Sequence, residues 1–373
     1  MLKAIVAIAA LGLVFLACGE VPEVAVVEGK ILGADGKPPV FAHVHLLGLG
    51  DDLHGAVESM RAGDDGAFTV GVPRDKYYEL AFTSVNHHSA RVPLPMDLGR
   101  GIKGLEITLA ANTYKEHPSN VRIVGDWNGF NTRAPEVMTP LGDGTFAYER
   151  EVQADTLAYQ LLGVTGDGRS VNGTAADRYR YDGGGDYVSI VVVHGDTARV
   201  IFDPTKAVVA ASPDLPRLEM PSRKHLVMEI FEINNRCALD SDNAMAALRA
   251  FWQEHGTIDG FEYDASAIRQ YLLTKISGGG SLSVRKYAAV KLAGLLDREI
   301  PLSDYELAAI GKLLSPTDWV WADSPMGLAE FLKRTEGDER MVDLFEQDLE
   351  NVADKRVKAT MLLEIGLAAR ETG

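Results

Sequence analysis

A chain of 373 residues with 53 acidic against 37 basic side chains, a net charge of −16, has length for two or three domains with their own cores. That balance excludes the clustered basic surface that nucleic acid or an anionic surface requires, so no nucleic-acid partner is expected. Two cysteines in the whole chain exclude a disulfide framework.

In chain order, Lys3 precedes an uninterrupted apolar run from Ala4 to Ala17, too short to span a bilayer comfortably and shaped like a secretory h-region. Residues 1–17 are expected to be a signal peptide outside the fold. The run closes on Phe15-Leu16-Ala17-Cys18-Gly19, which resembles the lipobox of bacterial lipoproteins, with Phe15 where that family usually has Leu. The resemblance implies that Cys18 becomes the lipid-modified first residue of the mature chain, tethered through 18–23 to a membrane by its acyl chains. It places the protein in the bacterial cell envelope, and Gly19 in place of Asp favours the outer membrane, facing the periplasm or the surface. Cys237 is then the one remaining thiol and reads as packing.

Residues 24–112 read as short strands between turns: Val26 to Ile31, Ala42 to Leu47, Ala67 to Val72, Tyr78 to Thr83 and Leu105 to Leu109. Asp35-Gly36-Lys37-Pro38 and Asp64-Asp65-Gly66 supply turn chemistry. Strands at this spacing predict a β-sandwich. Val27-Glu28-Gly29-Lys30-Ile31, Ala42-His43-Val44-His45-Leu46 and Asp65-Gly66-Ala67-Phe68 together resemble the carboxypeptidase regulatory-like domain, a transthyretin-like sandwich. His43 and His45 share one strand face, and His87-His88 lies in a nearby loop; without further ligands they read as exposed-face histidines, and no metal site is expected.

A second sandwich is expected over 115–205. Its centre is Val124-Gly125-Asp126-Trp127-Asn128-Gly129-Phe130, followed by Asp143-Gly144-Thr145-Phe146, Tyr159-Gln160-Leu161-Leu162 and strands from Tyr187 to Val193 and Ala198 to Phe202. The order of these blocks resembles the glycogen-binding-like sandwich of starch-debranching enzymes and of the AMP-activated kinase β-subunit. That resemblance implies a glycan ligand held by Trp127, Phe130, Gln160, Arg169, Asn172 and Asp186, with one of the two rings of the first turn facing the core. Gln160 stands where the family has a ligand-contacting Lys. Gly166-Asp167-Gly168-Arg169-Ser170 fills the loop of its second stacking Trp, and Gly183-Gly184-Gly185-Asp186-Tyr187 replaces its last contacts. A structural or interdomain role for this unit is the alternative.

Residues 206–224 hold Pro213, Pro216 and Pro221 without periodicity and read as a linker. From 225 to 373 the apolar spacing turns helical over Ala244 to Trp252, Ile268 to Ile276, Val284 to Leu296, Leu307 to Leu314 and Val357 to Ala368, in helices of ten to sixteen residues. Ser303-Asp304-Tyr305-Glu306 has capping-box spacing, and Ser324-Pro325 puts Pro at a helix start. A solenoid-like array and a non-repeating bundle are both compatible with this pattern. Trp252, Trp319 and Trp321 read as packing.

The fold expected is thus multidomain, two consecutive β-sandwiches followed by an α-helical domain. No Gly-x-Ser-x-Gly, His-Glu-x-x-His, phosphate-binding loop or Cys-x-x-Cys is present, so the chain is expected to act by binding, not as an enzyme, and without a cofactor. The leading expectation is an accessory glycan-binding or scaffold lipoprotein. The module order is also similar to the N-terminal region of TlpA-type envelope thiol-disulfide oxidoreductases, which implies an accessory portion or degenerate relative lacking the redox domain. A helical platform docking an envelope protein is the third reading.

Overall fold

Alternation in Val24-Ala25-Val26-Val27 sends Ala25 and Val27 inward at 1% and 0% exposure and leaves Val24 and Val26 outside, which is the period-two signature of a half-buried strand. In the computed structural model, which describes residues 24–95, 98, 101–166, 178–207, 212–221 and 226–372, this pattern builds four β-sheets followed by helices. The chain is a multidomain protein, β first and α after.

The first unit comprises β1 (Val24–Leu32), β2 (Ala42–Gly48), β3 (Glu58–Arg61), β4 (Ala67–Pro73), β5 (Tyr78–Ser84), β6 (Ala90–Leu94) and β7 (Gly101–Thr108). Two four-stranded sheets result, one ordered β3-β2-β5-β6 and the other β7-β1-β4 with a late strand, β16 (Arg217–Glu219), added beside β7. Val27, Val70, Leu105 and Ile107 of one sheet and Val44, Leu80, Phe82 and Val92 of the other form a single cluster, each at most 1% exposed. β1 runs antiparallel to β4 and parallel to β7, with a bulge between Glu28 and Gly29. A side chain on Gly29 would stand 2.1 Å from the Leu105 carbonyl oxygen, so only glycine lets the backbones approach there. The Asp65-Gly66 turn is built as its chemistry predicts: Asp65 Oδ1 accepts from Ala67 N at 3.0 Å, and Gly66 takes φ of 78°.

The second unit holds β8 (Arg122–Gly125), β9 (Glu136–Val137), β10 (Thr139–Pro140), β11 (Phe146–Glu151), β12 (Thr156–Leu162), β13 (Arg178–Tyr181), β14 (Tyr187–Val192) and β15 (Thr197–Phe202). Its sheets run β13-β14-β12-β8-β9 and β10-β11-β15. Ile123, Tyr159, Leu161, Val200 and Phe202 join them in one core. The segment read as a linker begins within α1 (Pro204–Ala207) and contains β16, which returns the chain to the first unit.

The helices are α2 (Leu226–His255), α3 (Ser266–Ser277), α4 (Leu282–Ala293), α5 (Asp304–Gly311), α6 (Pro325–Glu336), α7 (Asp338–Asp348) and α8 (Lys355–Thr372). α4 is their hub: Val284, Tyr287, Ala288, Ala289, Val290, Leu292 and Ala293 are all within 1% of full burial, the small alanines admitting close neighbours on several sides. The expected capping box forms, with Glu306 reaching back to Ser303 N at 2.7 Å, and Pro325 opens α6. At 30 residues α2 exceeds the length expected, because its first turns serve two cores. Val227 and Phe231 enter the first unit's cluster, while Ile230 and Ile233 enter the helical one. Among the described residues no helix is long and apolar enough to cross a membrane.

β5 is buried along its whole length, which one core cannot explain. Leu80 and Phe82 face the core of the first unit; Glu79, Ala81 and Thr83 face the other way. That second face is covered at the Thr83 end by the second unit and at the Glu79 end by the helical unit. Tyr77 stacks on Trp319 at 3.8 Å, and Arg356 of α8 donates to the carbonyl oxygens of Leu49 and Ala322. Trp321 is buried as expected, but Trp252 is 57% exposed, because the far half of α2 runs beyond the units it joins.

Candidate functional site

The turn after β8 separates the two aromatic rings expected to act together. Asn128 Oδ1 accepts from Gly125 N at 3.1 Å, and Gly129 and Phe130 both take positive φ, 62° and 57°, which throws Phe130 to the opposite side of the sheet from Trp127. Trp127 packs towards the core, as expected for one ring. It lies over Gly125, where a side chain would come within 2.0 Å of the indole, and stacks on Tyr148 at 5.3 Å and 19°. Its Nε1 donates to Glu136 Oε1 at 2.7 Å, Tyr148 donates to Glu136 Oε2 at 2.8 Å, and Arg150 pairs with Glu136 at 3.0 Å. Burial opposes the charge on Glu136, but these hydrogen bonds and Arg150 outweigh it and hold the carboxyl below its usual range. Phe130 lies across Val124 and Leu162 on one side and Ala158, Val188 and Ile190 on the other.

Gln160 sits opposite Val124 in register, on the face that Phe130 covers. It is 7% exposed, and its Nε2 is bonded to the Tyr187 carbonyl at 3.2 Å. Asp186 is exposed at the end of the glycine-rich turn, its amide donating to Asp182 Oδ1. The structure thus brings Phe130 and Gln160 to one face, with Asp186 beside Tyr187, and puts Trp127 on the other face. Cys18, Arg169 and Asn172 lie outside the described residues.

The glycine-rich turn leads into a joint. Tyr187 is fully buried, with its hydroxyl 2.8 Å from Thr83 Oγ1 and 3.2 Å from His43 Nδ1. Tyr181 stacks on His43 at 4.6 Å. Gly184 and Gly185 pass so close to His54 and Leu53 that a side chain at either would fall within 3 Å of them. His43 and His45 are therefore not on an exposed face: His45 is 0% exposed, with Nδ1 2.9 Å from Ser59 Oγ and Nε2 2.9 Å from Thr83 Oγ1. Burial, reinforced by Arg61, pushes His43 down to about 4, and burial with His43 and Arg91 does the same to His45. Both imidazoles are neutral at pH 7, and the two nitrogens of His45 are taken by hydroxyls. Among the described residues no group of three or more His, Cys, Asp and Glu is placed to hold a metal ion.

A second polar cluster joins the first unit to the helices. Glu79, 3% exposed, pairs with Arg91, which also donates to the Asp51 carbonyl at 2.7 Å. Asn234 of α2 reaches the Arg91 carbonyl, and Tyr287 lies 3.2 Å from both Asn234 Oδ1 and Asp323 Oδ1. Lys291 closes the chain on Asp323 at 2.7 Å. Burial pushes Glu79 up to about 7, with Asp323 adding to it and Arg91 and Lys291 opposing. Burial likewise pushes the Cys237 thiol up to about 11, away from the thiolate that disulfide exchange needs. A cavity of 200 Å³ lies against Cys237, Asp240, Lys291 and Asp323, and a cleft of 610 Å³ lies between α2 and the chain around His88, Thr113 and Pro216.

No family model matches the chain, and no curated protein matches it. Among solved structures it is similar to a hydroxyquinol 1,2-dioxygenase from Pseudomonas putida DLL-E4, at 15% identity over 32% of this chain and a TM-score of 0.16. The chain spans about half, 54%, of that dioxygenase chain. The expectation that the protein is not an enzyme is withdrawn on this finding: the likeness is to an enzyme, and the expectation rested only on motifs not found. A likeness this slight assigns no activity to this chain.

Proposed function

We propose that the chain is a lipid-anchored scaffold of the bacterial cell envelope, held through Cys18 in the outer membrane. In this reading the first unit is a transthyretin-like sandwich and the second a glycogen-binding-like sandwich, each built from two sheets around one core. The observation that carries the scaffold reading is the burial of Tyr187 against Thr83 and His43. It spends the loop expected to touch a glycan on fastening the second unit to the first. With α2 shared between two cores, all three units then move as one body, and the tether sets their distance from the membrane.

Calorimetry of the full chain tests this: one cooperative transition is expected, and a separate early transition for the second unit contradicts it. Membrane fractionation of Cys18→Ser tests the anchor, with release into the soluble fraction expected and unchanged sedimentation contradicting it. A glycan contact is the second reading, resting on the half-buried Phe130 ring on the outer face of the sheet, since Gln160 on that face is buried and spent on the Tyr187 carbonyl. Retention of the full chain on immobilised α-glucan, lost in Phe130→Ala, is its expected sign; no retention removes it.

A further inference from the structure

We propose that the outer face of α2 pairs with the same face of a second copy of this chain, antiparallel across a two-fold axis. From Asn234 to His255 no residue of α2 is buried, although the first turns of the helix enter two cores. Ala238, Asp242, Met245, Arg249 and Trp252 are all exposed and follow one another at alternating spacings of four and three, the seam of a coiled coil. At a rise of about 1.5 Å per residue that seam is about 21 Å long. Leu239 and Ala246, also exposed, flank it. Leu239, Met245 and Trp252 stand 38%, 46% and 57% exposed, apolar groups on the side of the helix that a facing helix covers.

The charge pattern commits this face to a second copy. With the axis between Met245 and Ala246, Asp242 lies opposite the partner's Arg249 and Leu239 opposite the partner's Trp252. Each pairing occurs twice, as an isologous interface requires. Parallel pairing sets Asp242 against the partner's Asp242 and Arg249 against the partner's Arg249, so the two charges also fix the direction. A ligand of one sign loses at one of these residues what it gains at the other. Ala246, beside the axis, has no long side chain to hold the backbones apart. At the Leu239 end, the cleft towards His88, Thr113 and Pro216 leaves α2 open on the side where the tip of the partner helix seats. The face is separate from the Tyr187 joint and does not depend on the scaffold reading.

The test is sedimentation velocity of the full chain from about 1 to about 100 µM, in about 0.15 M salt, which screens the repulsion between two copies of net charge −16 beyond about 8 Å. Wild type is compared with Asp242→Arg, Arg249→Asp and the double variant carrying both. Each single reversal sets like charges across the axis, and the double variant restores both pairs with their signs exchanged. All the positions are exposed, and Ala246→Glu, which brings two carboxylates together at the axis, serves in place of any reversal that lowers the melting temperature. Expected are a wild-type dimer, dimerisation weakened at least about tenfold by each single change, and recovery in the double variant. A wild type still monomeric at about 100 µM, single reversals that dimerise as wild type does, or a double variant no better than the singles overturns the proposal.

Discussion

Acid should loosen the joint between the two β units, through His45. Its folded-state pKa of about 4 lies below the ordinary 6.5, so the unfolded chain takes up a proton first as pH falls. Stability is thus unaffected above pH 7, declines from 6.5 towards 4, and levels off below. With these two values the loss is about 1.4 kcal/mol at pH 5.5 and about 2.5 kcal/mol at pH 4.5. The structural cause is burial of the imidazole, reinforced by His43 and Arg91; its two nitrogens are taken by Ser59 Oγ and Thr83 Oγ1, each at 2.9 Å, so a second proton obliges one of those hydroxyls to give up its donor role. Urea unfolding at pH 7.5, 5.5 and 4.5 measures the effect in wild type and in His45→Gln, whose amide donates and accepts without titrating. The difference between the two proteins should shift by the amounts above. Equal pH slopes in both would refute the assignment of a neutral, hydroxyl-bonded His45.

The helical junction responds with the opposite sign. Glu79 has a folded pKa of about 7 against 4.5, so it stabilises fully below pH 4.5 and this contribution is lost as pH rises to 7. Relative to wild type, Glu79→Gln should gain about 3 kcal/mol between pH 4.5 and 7.5 in the same urea experiment. Phe231→Ala, which empties a buried site where α2 enters the first unit, should cost about 3–5 kcal/mol by chemical denaturation at pH 7.5. A loss under 1 kcal/mol would show that α2 does not join the two cores.

Strands such as β4 and β15, in which Phe68, Val70 and Val72 or Ala198, Val200 and Phe202 fall on every second position, were legible because one face alone is buried. β6 was not: Pro93 interrupts Ala90-Arg91-Val92-Pro93-Leu94, and an edge position is what makes that proline tolerable. The first half of α2 was missed because its apolar residues form two stripes for two cores, which blurs a single-face period. The capping box at Ser303 and the turn at Asp65-Gly66 are local chemistry and could be read directly. The Tyr187 joint could not, since Tyr187 and His43 are 144 positions apart and their contact is a product of how two units dock. Glu79 carried a faint signal, a carboxylate inside the otherwise uncharged strand Tyr78–Ser84, and Lys291 another, inside the apolar run Tyr287–Ala293 of α4.

The Tyr187 hydroxyl fastens the second unit to the first at Thr83, and a double-mutant cycle of Thr83→Val and Tyr187→Phe measures that bond itself. Unfolding free energies of the four full-length proteins should give a coupling of about 1 kcal/mol across the 2.8 Å hydroxyl pair. A coupling indistinguishable from zero would mean that the two units do not share this contact in solution.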